Sequence, residues 1–450
     1  MTIKTVTIIL AAGKSTRMKS ALSKVLHPVA GLPMLGHVLS TSSVLAGETI
    51  VVVGPDMQNV ADYATSVASR AKFAVQHEQR GTGDAVKAAL PQITSRSGVA
   101  LVIFGDTPLV RAETLGEMVN ACTPTTPIVV LGFETHDPAA YGRLVKDEQG
   151  NLARIVELKD ANAEERAITL CNGGAMAIRL EHLEDLISKL GANNKAGEFY
   201  LTDVVEHARA ANFSCAIVKA PQADIQGVNS RADLAAVEQE MQRRLRAQAM
   251  ANGVTLADPN TVYLSADTII GKDVTIGQNV VIGPGVEIAS GATIKPFSHL
   301  EGGKIETGAQ IGPFARIRPG SQIGRDAHIG NFVETKKAKV EEGAKINHLT
   351  YIGDARVGAR ANIGAGTITC NYDGFNKHFT DIGAGAFIGS NSSLVAPVKI
   401  GDGAYTGSGS VITKDVPADA LAVERTSQIT RPGWAASFRA KFENFKKAKS

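Results

Sequence analysis

Hydrophobic positions follow one rule in the first half of this chain and another in the second. Up to residue 230, short apolar runs at Thr5–Leu10, Thr49–Val53, Lys72–Val75, Val99–Phe104 and Ile128–Phe133 alternate with stretches of helical spacing such as Gly83–Leu90 and Thr114–Ala121. Alternating strands and helices predict a mostly parallel sheet with helices on both faces. Ligands of such sheets sit at the carboxyl ends of the strands. From residue 265 onward, an aliphatic residue followed by a small one recurs every six positions. Ile270, Ile276, Ile282, Ile288, Ile294 and Leu300 form one ladder; Ile311, Ile317, Ile323 and Ile329 form a second, and Val340, Ile346 and Ile352 a third. After an interruption, Ile382, Ile388, Leu394, Ile400, Thr406 and Ile412 resume it. This period fits neither a helical stripe nor simple alternation. It predicts a parallel β-helix in which each rung is a short strand plus a turn, three rungs close a coil, and inward side chains stack about 4.8 Å apart.

Between the two patterns, Ser230-Arg231-Ala232-Asp233 reads as a capping box opening a helix through Leu234, Val237, Met241 and Leu245, which Gly253 ends. The expected division is therefore a domain over 1–229, a linker helix over 230–252 and a β-helix domain over 253–450, with a basic amphipathic tail at Trp434–Lys449. A length of 450 residues suits two or three domains. Glycine reaches 45 residues, about a tenth of the chain against about 7% on average, and it crowds into the repeats. Charge balances at 47 basic and 44 acidic side chains, which argues against nucleic-acid binding as the main business of the chain. Cys122, Cys171, Cys215 and Cys370 lie far apart with no Cys-x-x-Cys pair, arguing against a disulfide framework or structural zinc. No cleavage signal precedes the first strand and no run reaches about 18 apolar residues. The expectation is a soluble, cytoplasmic protein with no membrane insertion.

The first strand runs into Leu10-Ala11-Ala12-Gly13-Lys14-Ser15-Thr16-Arg17-Met18. Gly-Lys-Ser invites a phosphate-loop reading, but that motif needs a glycine where Ile8 stands. What remains is a small-residue turn whose backbone N–H groups can approach a phosphate or a base edge, with cations just beyond. By itself it is equally an ordinary strand–helix turn. Asp106, at the carboxyl end of Val99–Phe104, suits a Mg²⁺ site completed by an amide oxygen, water and substrate phosphates, although a lone aspartate there is more often a cap.

In the second half the largest break in the ladder is Thr369-Cys370-Asn371-Tyr372-Asp373-Gly374-Phe375-Asn376-Lys377. Arg316, Arg318, Lys336, Lys337 and Lys339 form a basic cluster, and Arg318 and Lys336 lie eighteen residues, one coil, apart. They stack if the register holds through the one-residue slip between Ile329 and Val340; otherwise they are a solvated basic face. His348 stands beside a rung rather than at its inward position. Such a histidine is usually structural or merely exposed, yet it is also the side chain suited to take a proton from an amine near neutral pH.

The Leu10–Met18 segment, with Lys24 in Leu22-Ser23-Lys24-Val25-Leu26, resembles the signature of the sugar-phosphate nucleotidylyltransferases. Together with the hexapeptide repeats and Asn371-Tyr372-Asp373-Gly374, the whole chain resembles the bacterial bifunctional enzymes of UDP-N-acetylglucosamine synthesis. The resemblance implies a Rossmann-like α/β nucleotidyltransferase domain followed by a left-handed parallel β-helix, trimeric, with acetyltransferase sites shared between neighbouring chains. Arg17 and Lys24 then match phosphate-contacting catalytic cations. Leu10, Ala11, Ala12, Gly13, Gln76, Gly81 and Thr82 match the nucleotide site, Gly142, Glu157 and Asn172 the sugar positions, and Asp106 with Asn229 the Mg²⁺ ligands. His348 matches the base of acetyl transfer. Arg318, Lys336, Tyr351, Asn362 and Lys377 match its sugar-phosphate positions; Ala365, Asn371, Tyr372, Ser390, Ser408 and Arg425 match those for acetyl-CoA. Ser15, Ser23 and Phe104 stand where the family often has glycine, proline and tyrosine. The implied chemistry is N-acetylation of glucosamine 1-phosphate and then uridylyl transfer from UTP, with pyrophosphate released.

Overall fold

The computed structural model describes residues 3–14, 16–45 and 47–447, the side chains of 443–447 excepted, so Ser15 and the end of the predicted tail lie outside the described residues. The chain forms two compact units, residues 1–248 with 263–267 and residues 249–262 with 268–450.

In the first unit the sheet runs Cys215–Lys219, Ile128–Glu134, Leu170–Arg179, Val99–Phe104, Thr5–Leu10, Gly47–Val53, Lys72–Val75. Every neighbouring pair is parallel except those made by Leu170–Arg179, which runs antiparallel to both its neighbours. Thr5–Leu10 is buried along its whole length, as a central strand covered on both faces must be. One apolar core contains Ile8, Val52, Val102 and Val130; the other contains Ile9, Val51, Leu101 and Val129. The strand ends differ from expectation by two residues at most, at Gly47 and Glu134, and the helices span Thr82–Ala89 and Ala112–Ala121.

The connecting helix spans Arg231–Ala251. Its start is a reciprocal cap: Ser230 N–H donates to Asp233 Oδ2 at 2.8 Å, and Asp233 N–H donates to Ser230 Oγ at 3.2 Å. Val237, with Leu234 and Met241, packs on Met18, Val29, Met34, Leu109 and Val228. The helix is therefore built into the first unit through Gln248 rather than standing free between the two.

The second unit is a stack of two- to seven-residue parallel strands, the left-handed β-helix that the resemblance implies. Ile276 pairs with Ile294, Ile294 with Ile311, Ile311 with Ile329, Ile329 with Ile346 and Ile346 with Ile363. The steps vary between eighteen and seventeen residues because some coils are one residue short, and the excursion at 371–377 lengthens one coil, so that Ile363 pairs with Ile388. Two inward rungs the hydrophobic pattern passed over are threonines. Thr335 and Thr369 are buried; Thr335 Oγ1 donates to Ser321 Oγ at 3.1 Å, and Thr369 Oγ1 accepts from Gly353 N–H at 2.8 Å. A satisfied hydroxyl can occupy an aliphatic rung.

Most glycines directly after inward residues serve close approach rather than unusual torsion, Gly312 with φ +91° being an exception. A Cβ on Gly330 would lie 2.0 Å from the Asn347 carbonyl oxygen, and its φ is not in the left-handed region. The left-handed corners instead include Phe297, Phe314, Phe332 and Leu349, with φ between 52° and 60°. The three phenylalanine rings stack at 4.9 and 5.1 Å up one edge, which offsets part of the backbone strain. Gly330→Ala is expected to destabilise the β-helix by about 1–3 kcal/mol through overpacking against the next coil. Thermal unfolding followed by calorimetry should show the β-helix transition lowered and the N-terminal one unmoved.

Candidate active sites

At the carboxyl ends of Thr5–Leu10, Lys72–Val75 and Val99–Phe104 lies a pocket of about 480 Å³. It is lined by Leu10, Ala11, Ala12, Gly13, Lys14, Lys24, Val25, Gln76, Gln79, Gly81, Thr82, Ala85, Phe104, Asp106, Glu198 and Asn229. Its lining combines apolar side chains with the cations Lys14 and Lys24 and the carboxylates Asp106 and Glu198. Gln76 is buried, with its Nε2 donating to Gly81 O and Asp84 Oδ2, both at 2.9 Å; this fixes the amide at the pocket wall. Gly81 has φ +122°, and a Cβ there would lie 2.5 Å from Phe199 O, so only glycine fits. Gln79, not singled out from sequence, donates from Nε2 to Ala12 O at 2.6 Å and ties this segment to the first turn. Ser23 adopts φ −55°, within the range that proline imposes, so the backbone before Lys24 is one a proline would also fit. Phe104 contributes its ring to the lining.

At one end of the pocket four polar side chains from distant segments meet. The Lys24 ammonium is ion-paired with Asp106 Oδ2 and also donates to Asn229 Oδ1 at 3.1 Å. Arg17 Nη2 donates to the same Asn229 Oδ1 at 2.9 Å. A carboxylate and an amide oxygen side by side are hard donors suited to a divalent cation that keeps most of its shell for water and phosphate. The donor set fits Mg²⁺, and two cations stand ready beside it.

Gly142, Glu157 and Asn172 lie outside the pocket lining but close to one another. Asn172 N–H donates to Gly142 O at 2.8 Å, and a Cβ on Gly142 would lie 3.3 Å from Glu157 Oε1. Loss of hydration raises the Glu157 carboxyl above its ordinary range; Thr202 works against this, and the carboxylates of Asp203, Asp160 and Glu198 add to it.

The second constellation lies on the β-helix. The register Arg316↔Glu334 and Ile317↔Thr335 carries on to place Arg318 beside Lys336, so the basic pair stacks as the eighteen-residue spacing requires; the slip falls after it. Glu334, absent from the sequence reading, pairs with Arg318 Nη1 at 2.7 Å and lies in register with Tyr351. One edge carries the other key residues. Asn331 and His348 are register partners, and backbone bonds from Gly366 to His348, Asn391 to Ala365 and Gly409 to Ser390 continue the column. Asn331, His348, Ala365, Ser390 and Ser408 thus follow one another, and Arg425 Nη1 donates to Ser408 O at 2.8 Å. His348 is exposed, its Nδ1 2.6 Å from Asn331 Oδ1. An amide oxygen only accepts, so Nδ1 carries the proton and Nε2 keeps a lone pair facing outward. Asn331 escaped the sequence reading because it lies seventeen, not eighteen, residues before His348.

Asn362 pairs with Lys345 and Phe387 on the adjoining face, so it does not converge with Arg318, Lys336 and Tyr351. In the excursion, Asn371 is buried and donates from Nδ2 to Asp354 Oδ2 at 2.5 Å. Lys377 Nζ lies 3.7 Å above the Tyr372 ring.

Residues 7–168 match the MobA-like NTP transferase domain, and residues 267–302, 302–337 and 379–414 match the six-repeat bacterial transferase hexapeptide. The chain is 66% identical to the bifunctional protein GlmU of Parvibaculum lavamentivorans over 98% of both chains. It is 54% identical to that of Paramagnetospirillum magneticum over 99% of both, and 53% identical to that of Paracoccus denitrificans over 95% of both.

Ionised Glu157 costs the fold its hydration, and the cost is absent where both folded and unfolded carboxyls are protonated. Stability owed to the neutral form is therefore lost as pH rises through the raised value. Glu157→Gln is expected to raise the thermal midpoint of the N-terminal unit at pH 8 and to leave it unchanged near pH 3, as scanning calorimetry at the two pH values would show.

Proposed function

The chain belongs to the family of bifunctional GlmU proteins, and from that we propose that its two units catalyse successive steps to UDP-N-acetylglucosamine, as a nucleotidyltransferase over 1–229 and an acetyltransferase over 253–450. The observation that carries this reading is the pairing of two unlike sites in one chain: a pocket for a nucleotide with cations in its lining, and a base aligned with a long edge on the β-helix.

In acetyl transfer, glucosamine 1-phosphate lies with its phosphate against Arg318 and Lys336, and Tyr351 completes that face. His348 Nε2 takes a proton from the amino group, the nitrogen attacks the thioester carbonyl of acetyl-CoA, and the C–S bond breaks to release the thiol. Asn331 holds the imidazole in the tautomer this requires. Ala365, Ser390, Ser408 and Arg425 run along the edge as a track for the cofactor, with Asn371 and Tyr372 beside it. Lys377 reaches the sugar phosphate from the hairpin, and Asn362 completes the site from another chain: outward side chains on adjoining faces of a convex edge point apart, which supports a homotrimer with shared sites.

In uridylyl transfer, the small-residue turn at Leu10–Gly13 admits the nucleotide, with Gln76, Gly81 and Thr82 at the base. Gly142, Glu157 and Asn172 hold the sugar hydroxyls. The nucleophile, a phosphate oxygen of N-acetylglucosamine 1-phosphate, is already ionised, so alignment and charge neutralisation carry the reaction. It attacks the α-phosphorus of UTP, and pyrophosphate leaves. Arg17 and Lys24 neutralise the charge that develops. Asp106 and Asn229 would hold Mg²⁺, which supplies further neutralisation when bound.

Incubation with glucosamine 1-phosphate, acetyl-CoA, UTP and Mg²⁺ should release free thiol and then pyrophosphate. Pyrophosphate alone, from supplied N-acetylglucosamine 1-phosphate, would instead make the β-helix a structural module. His348→Ala is expected to lower acetyl transfer by about 10²–10⁴-fold and spare uridylyl transfer; Asp106→Ala should do the reverse. Asn331→Ala should cut kcat for acetyl transfer by about tenfold or more through the lost tautomer control, with KM nearly constant.

A further inference from the structure

The excursion Asn371–Lys377 adds residues to a coil without adding apolar packing. Beyond the buried Asn371, Tyr372 and Phe375 are exposed, Phe375 by 91%, as is Phe379 just after the segment, so apolar burial does not fix its shape. It is nevertheless a closed hairpin: Tyr372 and Lys377 pair as an antiparallel bridge, and His378 N–H donates to Asn371 O at 2.9 Å. At its centre is one carboxylate. Asp373 Oδ1 accepts from Phe375 N–H at 2.8 Å and Asn376 N–H at 2.7 Å, while Oδ2 lies 2.7 Å from His378 Nε2. Three donors from the tip and the second arm thus converge on one side chain of the first arm. The bond from Asn376 N–H, then those from His378 and Phe375, hold the Asp373 carboxyl well below the usual range, so it is ionised wherever the enzyme works. An unclamped polar segment of this length would sample many conformations, and each binding event would bear the cost of ordering it.

We infer that Asp373 and His378 are positioning residues of the acetyl-transfer site, a carboxylate–imidazole clamp that presets the hairpin so that one element serves both substrates. The inference rests on the acetyltransferase reading above. In that reading Asn371 and Tyr372 on one arm serve acetyl-CoA and Lys377 on the other serves the sugar phosphate, and the Lys377 ammonium lies against the Tyr372 ring. Neither Asp373 nor His378 touches a reacting atom. Their effect is on the fraction of molecules whose hairpin is ready to bind, and a ligand's apparent affinity falls by that fraction.

The test is steady-state acetyl transfer by the full-length chain. Asp373→Asn keeps the shape and an acceptor oxygen but removes the charge. It is expected to raise KM for acetyl-CoA and for glucosamine 1-phosphate together, each by roughly 5–10-fold, while kcat stays within about threefold. His378→Ala should reproduce the double KM effect, and His378→Gln, which restores an N–H donor, should recover most of it. A hairpin with only a structural role would cost active protein, lowering kcat with both KM values unmoved. That result, or a rise in only one KM, or no difference between His378→Gln and His378→Ala, would overturn the inference. Failure of the acetyltransferase reading itself would show separately, as no thiol release by the unaltered chain.

Discussion

Inward stacking of one side chain per rung is the constraint on which the C-terminal unit depends. Because Ile311, Ile329, Ile346 and Ile363 must sit one above another, every outward position is fixed in height and in face. Residues far apart in sequence become neighbours, and contacts such as His348 with Asn331 form between positions the ladder has already aligned. The column from Asn331 to Ser408 and the stack of Arg318 on Lys336 are consequences of this inner ladder. Aliphatic burial, non-directional in itself, becomes a positioning device when it is repeated at a fixed rise. Close approach between coils is the other half of the constraint, and it explains why glycine recurs beside the ladder at positions that need no left-handed backbone.

The N-terminal pocket is organised by charge instead. Lys24 and Arg17 both approach Asn229 Oδ1, and Lys24 also pairs with Asp106. Two cations near one carboxylate leave a local excess of positive charge beside the pocket. In the reading proposed above, a triphosphate entering there would meet charges the fold has already brought together. Glu157, outside the pocket lining, has the opposite character, a desolvated carboxylate among others.

Much of this was legible in the sequence. The period of six identified the β-helix, and the strand–helix alternation placed Leu10–Gly13 and Asp106 at strand ends, because both signals are backbone periodicities that survive without tertiary knowledge. Asn331 and Glu334 were not legible: their roles arise from coil-to-coil contact across steps of seventeen and sixteen residues, and a strict period hides such partners. Thr335 and Thr369 were read as gaps because a hydrophobic pattern cannot see a hydroxyl satisfied by its neighbours. The antiparallel strand Leu170–Arg179 was also missed. Its glycines at 173 and 174 accompany a register shift between Asn172 and Met176 and break the apolar run a strand normally shows.

The two sites differ in how completely one chain can build them. A pocket at the carboxyl ends of a sheet is concave, so residues from separate loops converge on it within a single unit, as Lys24, Asp106 and Asn229 do. An edge of a β-helix is convex, and stacking can align residues along it but cannot bring adjoining faces together. Asn362 therefore diverges from Tyr351 however well the coils are packed. A convex scaffold acquires a concave site in two ways: by laying a second prism alongside, or by extruding a segment from the ladder. This chain contains the second device in the hairpin at 371–377, and in the reading proposed above Asn362, on an adjoining face, calls for the first as well.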